Sequence, residues 1–352
     1  MKKIKILVPY LIISIILIVG IIIKVYADYL YASNEVYYEN NSSTLTNTDL
    51  QSAIEELDTK CENRIAASQK CPEGYKCTEI PKPICKRATT LHTETCSNGS
   101  SSNNDYCYGD GYYASGSKGT TTIIYGQLGT SGTLTSGDAF DCDVNGDGIY
   151  DSETERFYYV SNYFDTQSQT FDNDYYVFIY YSNTTSGTAS TDNVAWYSSS
   201  STSYGPTTAM AQLPKTTGTN AWRDDLLKST TRNILGGYSG SSLTTTYKSN
   251  FSYSGYAARL LTAQELQQGC SITIGSYTTG ELSSKCKYLM EKTKYANSSY
   301  ATYGPWLESA FSSTGAWYVH SFSRYVNSCS TSYSSGFGAR PVIEVPKSQI
   351  SY

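Results

Sequence analysis

The chain opens with its longest apolar stretch. Residues Ile6–Ile23 carry no charge and are nearly all apolar, and Lys2, Lys3 and Lys5 precede them. At about 1.5 Å per residue, a helix of this length matches the thickness of a bilayer's hydrocarbon core. Positive charge stays on the cytoplasmic side, so we expect the rest of the chain to be exported. Residues 1–27 are either an uncleaved signal anchor, which the length favours, or a cleaved signal peptide.

A second apolar pattern has helical spacing. Leu50, Ile54 and Leu57 recur at intervals of three and four, which predicts an amphipathic helix within a stalk spanning 28–60. The apolar face either packs on the helix's own domain or joins copies as a short coiled coil. The second interpretation predicts a homo-oligomer formed through 48–60.

Residues 61–88 differ in composition from the segments on either side. They hold four cysteines and three of the nine prolines, which favours a disulfide-pinned linker. Zinc is the competing interpretation of the cysteines, but their spacing is not that of paired CxxC knuckles. Residues 89–352 show no second break of this kind and are predicted to form one domain.

Within 89–352, short runs rich in β-branched and aromatic residues alternate with Ser-, Thr- and Gly-rich stretches. We expect long surface loops at 182–208 and 236–250. The predicted strands are Thr120–Tyr125, Arg156–Asn162, Tyr175–Tyr181, Ala316–Phe322 and Pro341–Val345. The predicted helices are Trp222–Leu235, Thr262–Gly269, which carries the capping-box pair Thr262 and Glu265, and Gly280–Thr293.

Composition changes this picture in two ways. The chain has 35 tyrosines and only 16% charged residues, so its core must rely on aromatic side chains. Its net charge is −5, and no basic block follows Lys5. Because nucleic-acid binding requires clustered Lys and Arg, we predict no nucleic-acid partner.

Ten cysteines fit export to an oxidising compartment, where cysteines pair as disulfides. Cys270 and Cys286, which flank a Gly-containing turn, form the first predicted pair. Cys96 and Cys107, around a Ser/Asn-rich loop, form the second.

The most specific chemical motif follows Cys142. Oxygen-bearing residues alternate in Asp-Val-Asn-Gly-Asp-Gly-Ile-Tyr-Asp, and a glycine stands where a calcium loop turns sharply. The motif resembles the calcium loops of the EF-hand, dockerin and thrombospondin type. Its last carboxylate is out of register, because position twelve is Thr154, flanked by Glu153 and Glu155. An Asp/Asn/Gly turn without an ion is the alternative to a structural Ca²⁺ site. The predicted ligands are Asp143, Asn145, Asp147, Ile149, Asp151 and Glu155.

Catalytic residues are scarce. The chain has two histidines. His320 has no acidic neighbour in sequence that would orient it as a base, and His92, which follows Thr-Leu, is interpreted as structural. Glu265 and Glu308 could pair as general acid and base, although glutamates that bind backbone amides are more common. No phosphate-binding glycine loop or dinucleotide fingerprint occurs. We therefore predict no enzyme activity and no organic cofactor.

Three short motifs resemble those of formylglycine-generating-enzyme-like domains, a branch of the C-type lectin fold. They are Arg259-Leu-Leu-Thr-Ala-Gln-Glu265, Trp306-Leu-Glu308-Ser and Gly338-Ala-Arg340-Pro-Val, in the family's order. Residues 89–352 are also similar to exported proteins of Gram-positive gut bacteria. The resemblance implies an α+β fold with irregular twisted antiparallel sheets, few helices and long loops, mounted on the membrane helix and helical stalk. It implies frame roles for Arg340 and Glu344, in contact with Glu265 or Glu308. The cysteine pair of the enzymes is not matched, since Cys329 stands alone in that segment.

Some members of this fold are variable proteins of diversity-generating retroelements, with a randomised C-terminal face. The resemblance therefore implies that the tract 309–337, rich in Tyr and Ser, is a display surface. Lys, Gln, Glu, Met and Trp are rare there, since only Trp317 occurs. If Ala316–Phe322 is a strand, Trp317 and Val319 share the core face, and Tyr318, His320 and Phe322 point outward. The predicted ligand contacts are Trp317, Tyr318, His320, Phe322, Arg324, Tyr325, Asn327 and Tyr333.

Together these features predict a cell-surface binding protein of a bacterium, anchored on the extracellular face of the membrane or secreted. Its expected ligand is a protein or a glycan. The mixture of Tyr, Trp, Ser and Asn in the tract 309–337 is typical of antibody paratopes. One alternative is a structural or adhesive subunit of a stalk or pilus. Another is a carbohydrate-active enzyme that uses Glu265 and Glu308.

Overall fold

The structure, a computed structural model, describes residues 82–96, 121–130, 132–184, 194–197, 199, 201–237, 243–274, 282, 284–291, 304–320, 325–334 and 336–352. They belong to a compact unit, Ile80–Tyr352, while the unit Met1–Glu79 lies outside the described residues. The predicted signal anchor, the stalk helix and the oligomer contact at 48–60 therefore fall outside the described residues. In the described ranges, each helix is either too short or too polar to cross a bilayer.

Strands dominate the described residues. They are β1 (Cys85–Arg87), β2 (His92–Cys96), β3 (Thr121–Tyr125), β4 (Ala139–Cys142), β5 (Arg156–Asp165), β6 (Thr170–Tyr180), β7 (Thr231–Gly236), β8 (Thr245–Ser252), β9 (Gly304–Ala310), β10 (Gly315–His320), β11 (Tyr325–Ser330), β12 (Phe337–Gly338), β13 (Val342–Pro346) and β14 (Ile350–Ser351). The helices are α1 (Thr207–Met210), α2 (Ala263–Cys270) and the 3₁₀ helices Thr202–Tyr204, Ser284–Met290 and Lys347–Gln349.

The strands form three sheets. The first runs in the order β13-β6-β5-β4-β1-β14, antiparallel except where β1 meets β14. The second runs β11-β10-β9-β7-β8, with β12 added to β9. In this second sheet, β9 pairs in parallel with both β7 and β12. Strands β2 and β3 form a separate antiparallel pair.

The two large sheets share one hydrophobic cluster. Tyr158 and Ile179 of the first sheet pack into the same cluster as Trp317 and Val319 of the second. Each sheet also buries part of its other face, so several strands carry apolar side chains on both faces. The outer cluster of the first sheet includes Phe157, Phe178, Ile343 and Val345, and that of the second sheet includes Trp306, Ala310, Tyr318 and Phe337.

The predicted helix at Thr262–Gly269 is confirmed as α2. The Thr262 side chain accepts a hydrogen bond from the Glu265 amide at 3.2 Å, and Glu265 Oε2 accepts one from the Thr262 amide at 3.1 Å. This reciprocal capping box satisfies amides that the first turn of a helix leaves without partners. The helix buries Ala263 and Leu266 in the cluster shared by the sheets.

Two disulfides lie among the described residues. The predicted Cys270–Cys286 pair is confirmed, and it ties α2 to the 3₁₀ helix Ser284–Met290. Cys85 bonds to Cys142, which faces it directly across β1 and β4. Cys85 was predicted to belong to the linker 61–88, yet it lies in a strand of the folded unit. Cys107, the predicted partner of Cys96, falls outside the described residues.

The predicted α+β class is wrong, because the described part of the chain is β-rich with only two short α-helices. The predicted helix Trp222–Leu235 is replaced by turns followed by β7, and the predicted loop 236–250 contains most of β8. The β-branched residues of these segments favour strands, and β7 gains β8 and β9 as partners. Within the predicted helix Gly280–Thr293, the structure contains the shorter 3₁₀ helix Ser284–Met290.

Candidate binding surface and calcium loop

The alternation predicted along β10 is present, but both of its faces are covered. Trp317 and Val319 lie in the cluster between the sheets, as expected. Tyr318 and His320 are only 5% and 7% exposed, so the prediction that they point outward is wrong. The opposite face of β10 packs on Trp306 and Phe337, and Tyr318 meets those rings edge-on at 5.8 and 4.5 Å.

The other predicted contact residues are dispersed. Tyr325 and Asn327 are half-buried on β11, and the Tyr325 ring stacks on His320 at 4.9 Å. Tyr333 is 44% exposed in the turn after β11. Phe322 and Arg324 fall outside the described residues.

Around Tyr333, three chain segments form what we call the loop surface: residues 197–205, of which 198 and 200 are not described, 311–314 and 330–334. Backbone hydrogen bonds hold them together. The Thr202 amide donates to the Ser313 carbonyl at 2.9 Å, and the Tyr197 amide donates to the Thr331 carbonyl at 2.9 Å. The Thr331 amide in turn donates to the Thr314 carbonyl at 3.0 Å. Because the bonds join backbone to backbone, they hold the three segments in fixed positions relative to one another.

Two tyrosines project from the loop surface on aromatic supports. The Tyr204 ring is 55% exposed and stacks on the buried ring of Tyr197 at 4.8 Å. Tyr333 meets Phe337 edge-on at 5.7 Å, and Phe337 stacks on Trp306 at 4.1 Å. Each exposed ring therefore has a rigid base and a face or edge open to solvent.

Gly205 fixes the backbone next to Tyr204. Its φ of 75° lies in the left-handed region, and a Cβ at this position would come within 2.8 Å of the Phe251 ring. Only glycine meets both conditions without moving Phe251, so residue 205 sets the position of Tyr204.

The two glutamates proposed as an acid–base pair are part of a buried chain of charges. Arg232 Nε lies 2.7 Å from Glu308 Oε1, and Arg232 Nη1 lies 3.5 Å from Glu344. Arg259 binds Glu344 at 2.5 Å and Glu265 at 2.6 Å. The order is Glu308–Arg232–Glu344–Arg259–Glu265, which we call the buried ion chain. It links β9 and β7 of the second sheet to β13 of the first sheet and to α2.

Glu265 also accepts a hydrogen bond from the Phe164 amide at 3.0 Å. Burial acts to raise its pKa, but the charge and hydrogen bonds of Arg259 outweigh burial and hold the pKa below its usual range. A carboxylate held ionised by a fixed arginine is a poor general acid. The expected contact of Glu344 with Glu265 is mediated by Arg259. Arg340 instead donates to the backbone carbonyls of Tyr288, Leu289 and Glu291.

The predicted calcium loop is a closed turn in which the carboxylates bind backbone amides. Asp143 Oδ1 accepts from the Gly146 amide at 2.8 Å, and Asp143 Oδ2 accepts from the Gly148 amide at 3.0 Å. Asn145 Oδ1 accepts from the Asp147 amide at 2.9 Å. Asp147 Oδ1 accepts from the Ile149 amide at 2.7 Å.

Glu155 closes the loop by binding backbone amides of earlier loop residues. This buried carboxylate accepts from the Asp151 amide at 3.0 Å and the Val144 amide at 3.3 Å. Burial and the charges of Asp143 and Asp147 raise its pKa, against the opposing effect of hydrogen bonds from the Asp151 and Asn145 amides. Among the described residues, no three His, Cys, Asp or Glu side chains are grouped so as to hold a metal ion.

Sequence reasoning missed two features. The first is the pair Tyr197 and Tyr204. They lie in a Ser-rich run, and the presence of two aromatic residues there was the one sequence feature that could have indicated a binding surface. The second is the contact of His92, which was interpreted as structural, with Glu291 at 2.6 Å. The two residues are 199 positions apart, so no local sequence pattern predicts their contact.

No family model matches the chain, and no curated protein or solved structure is significantly similar to it. The comparisons therefore neither support nor oppose the resemblance of its three short motifs to the formylglycine-generating-enzyme-like domains.

Proposed function

We propose that this chain is an exported ligand-binding protein that acts at the cell surface or after secretion, and that it binds through the loop surface. One observation carries the proposal. Tyr204 and Tyr333 are about half exposed on segments that hydrogen bonds hold in place. Exposed aromatic residues on a rigid base supply contact area at low entropic cost.

The composition of the loop surface supports this role. Its three segments contain only Ser, Thr, Tyr, Phe and Gly, without a charged residue. Hydroxyl groups offer adaptable hydrogen bonds, while the absence of charge favours a neutral protein or glycan epitope over a strongly charged one. The strand residues Trp317, Tyr318 and His320 are buried, so we propose that the binding site lies on the neighbouring loops and not on the strand.

Direct binding with matched tyrosine variants tests the proposal. Full-length protein is applied to arrays of neutral glycans and of extracellular proteins, and any ligand found is titrated against Tyr204→Ser and Tyr333→Ser. We expect each variant to weaken binding at least about tenfold, the size of a hot-spot loss. Tyr352→Ser is the control, since Tyr352 is 51% exposed and lies outside the loop surface. Equal affinity in all three variants would place the binding site elsewhere.

The two alternatives predict other outcomes. In a stalk or pilus subunit the same tyrosines contact neighbouring copies, so crosslinked ladders would disappear in Tyr204→Ser and Tyr333→Ser. An oligomer formed through 48–60 would survive both variants. A carbohydrate-active enzyme needs Glu265 or Glu308 to exchange protons. Arg259 holds the pKa of Glu265 low against burial. Burial raises the pKa of Glu308 against the charges of Arg232 and Arg259, but this carboxylate is buried against Arg232.

Structural Ca²⁺ in the loop from Asp143 to Glu155 is a separate proposal. Its support is the sequence spacing of Asp143, Asn145, Asp147 and Asp151 with the carbonyl of Ile149. To bind the ion, these side chains would have to exchange some of the amide hydrogen bonds they accept. Calcium would then stiffen the loop and take no part in the loop surface.

A further inference from the structure

His92 has an oxygen atom against each of its ring nitrogens. Nδ1 lies 2.6 Å from Glu291 Oε1, and Nε2 lies 2.5 Å from the carbonyl oxygen of Ser152. The second oxygen of Glu291 accepts from the Tyr158 hydroxyl at 2.5 Å. The His92 side chain is 12% exposed and that of Glu291 is 2% exposed, so water competes little for these contacts.

This geometry fixes how many protons the pair must hold. A neutral imidazole carries one N–H, whereas a backbone carbonyl can only accept. The Ser152 carbonyl requires the proton on Nε2. Nδ1 then has a lone pair that faces the Glu291 carboxylate, and both are acceptors. A second proton must lie between Nδ1 and Glu291 for them to form a hydrogen bond. The arrangement is satisfied by an imidazolium facing a carboxylate, which is a strong, charge-assisted hydrogen bond.

The groups around His92 come from four other segments. Glu291 follows the 3₁₀ helix Ser284–Met290, and Ser152 belongs to the loop before β5. Tyr158 and the cationic Arg156 come from β5, and the Tyr181 ring meets the imidazole edge-on at 5.2 Å. Arg156 opposes protonation, but its Nε is bound to Asp141 at 2.7 Å.

The balance favours the charged form. Burial acts to lower the pKa of His92 and is the largest single effect. The hydrogen bond and charge of Glu291, with the Ser152 carbonyl, outweigh burial and raise the pKa above its ordinary value.

The contacts join the start of β2 to parts of the fold that lie far from it in sequence, while β3 is held separately through Tyr125, which is buried in the shared cluster. His92 is the first residue of β2, which pairs with β3 outside both large sheets. Glu291 is fixed on the body of the domain, because Arg340 donates to its carbonyl and the preceding 3₁₀ helix carries the disulfide from Cys286 to Cys270. One charged side chain thus connects the small β2–β3 sheet, the Ser152 loop and this 3₁₀ helix.

We propose that protonated His92 is a latch that fastens the start of β2 to the domain, and that loss of its proton at rising pH releases this strand. The direction follows from linkage. A raised folded pKa gives stability that is complete below the unfolded value of about 6.5 and is lost as pH rises through the folded value. The latch is therefore closed below the ordinary pKa of about 6.5 and opens as pH rises through the raised pKa of the folded state.

The full-length protein provides a direct test, because it has two histidines and hence two imidazole signals by NMR. His320→Phe assigns them without altering the latch. We expect His92 to titrate above about 6.5. Amide protection factors over His92–Cys96 should fall between pH 6 and pH 9, about tenfold for each unit by which the measured pKa exceeds that value.

Two variants separate the latch from general alkaline loosening. His92→Gln should give protection over β2 that does not change with pH, and Glu291→Gln should lower the pKa of His92. A His92 that titrates at or below about 6.5 in the wild-type protein would overturn the proposal, even if both variants fail to fold. Protection over β2 that is constant from pH 6 to pH 9 would overturn it as well.

Discussion

The guanidinium of Arg259 holds the carboxylate of Glu265 through two hydrogen bonds, Nη2 to Oε1 at 2.6 Å and Nη1 to Oε2 at 2.9 Å. Both residues come from the same short motif, six positions apart, yet the pair is completed by Glu344 from β13. The motif thus serves as a joint between α2 and the first sheet, and its acidic residue is committed to structure.

Glu265→Gln should therefore unfold the protein more easily without altering the loop surface. Breaking a buried ion pair on one side leaves an uncompensated charge and costs about 3–5 kcal/mol. Urea unfolding at neutral pH measures the loss, and Asp224→Asn, at an exposed position, should change stability by less than about 0.5 kcal/mol.

Acid should also lower the stability contributed by Glu265. The pKa of Glu265 is lowered, so its stabilisation is present above about 4.3 and disappears as pH falls through the folded value. A Glu265→Gln protein with unchanged stability but lost hydrolysis of a glycan would contradict the structural role.

His320 should make the fold sensitive to acid. Burial lowers its pKa, so the folded state holds it neutral, and protonation below about 6.5 favours the unfolded chain. The stability of wild type relative to His320→Phe should fall as pH decreases from about 7 through the folded pKa. Each unit of pKa difference corresponds to about 1.4 kcal/mol. Taking the difference between the two proteins cancels the opposite contribution of His92. A difference that does not vary with pH would show that His320 titrates alike in both states.

The two disulfides should differ in their contribution. Their cysteines are 57 and 16 residues apart, and the loop-entropy relation gives about 4 and about 3 kcal/mol. We expect the double variant Cys85→Ala/Cys142→Ala to lose more stability than Cys270→Ala/Cys286→Ala in urea titrations. Cys329→Ala is the control, because Cys329 is a free cysteine. The reverse order would mean that native-state packing, and not loop length, decides the effect.

Calcium should raise the melting temperature if the loop binds it. A ligand present at 100 times its Kd stabilises the folded state by about 2.7 kcal/mol. We expect millimolar CaCl₂ to raise Tm relative to EDTA, and Asp147→Asn to abolish the rise. Asp224→Asn, outside the loop, should keep it. A wild-type Tm that is the same in CaCl₂ and EDTA would leave the loop as a turn held by its own amides.

Sequence variation among isolates should follow exposure if the surface is diversified. Substitutions should concentrate in 311–314 and 330–334, where side chains other than that of the buried Thr331 reach solvent. They should be rare at Trp317 and Val319, which are buried in the shared cluster. Sequencing the gene from several isolates gives the answer. Substitutions spread evenly over 309–337 would contradict a folded scaffold that carries a variable surface.

The sequence alone determined the local features. Runs rich in β-branched and aromatic residues located β3, β5, β6, β10 and β13, the Thr262 and Glu265 pair located α2, and a turn between two cysteines predicted the disulfide Cys270–Cys286. These features depend on residues close in sequence, which share a strand face, a helix turn or a short loop.

The tertiary structure decided which of these residues are available to a ligand. Alternation along β10 separates Trp317 from Tyr318, but it cannot reveal that Phe337 and Trp306 cover the second face. Likewise, Glu308 meets Arg232 across 76 residues, a pairing that depends on β7 and β9 lying side by side in the second sheet. Burial and long-range charge pairing arise only from packing, so Tyr204 was found only in the folded chain, and only the folded chain shows that Tyr333, unlike Tyr318, is exposed.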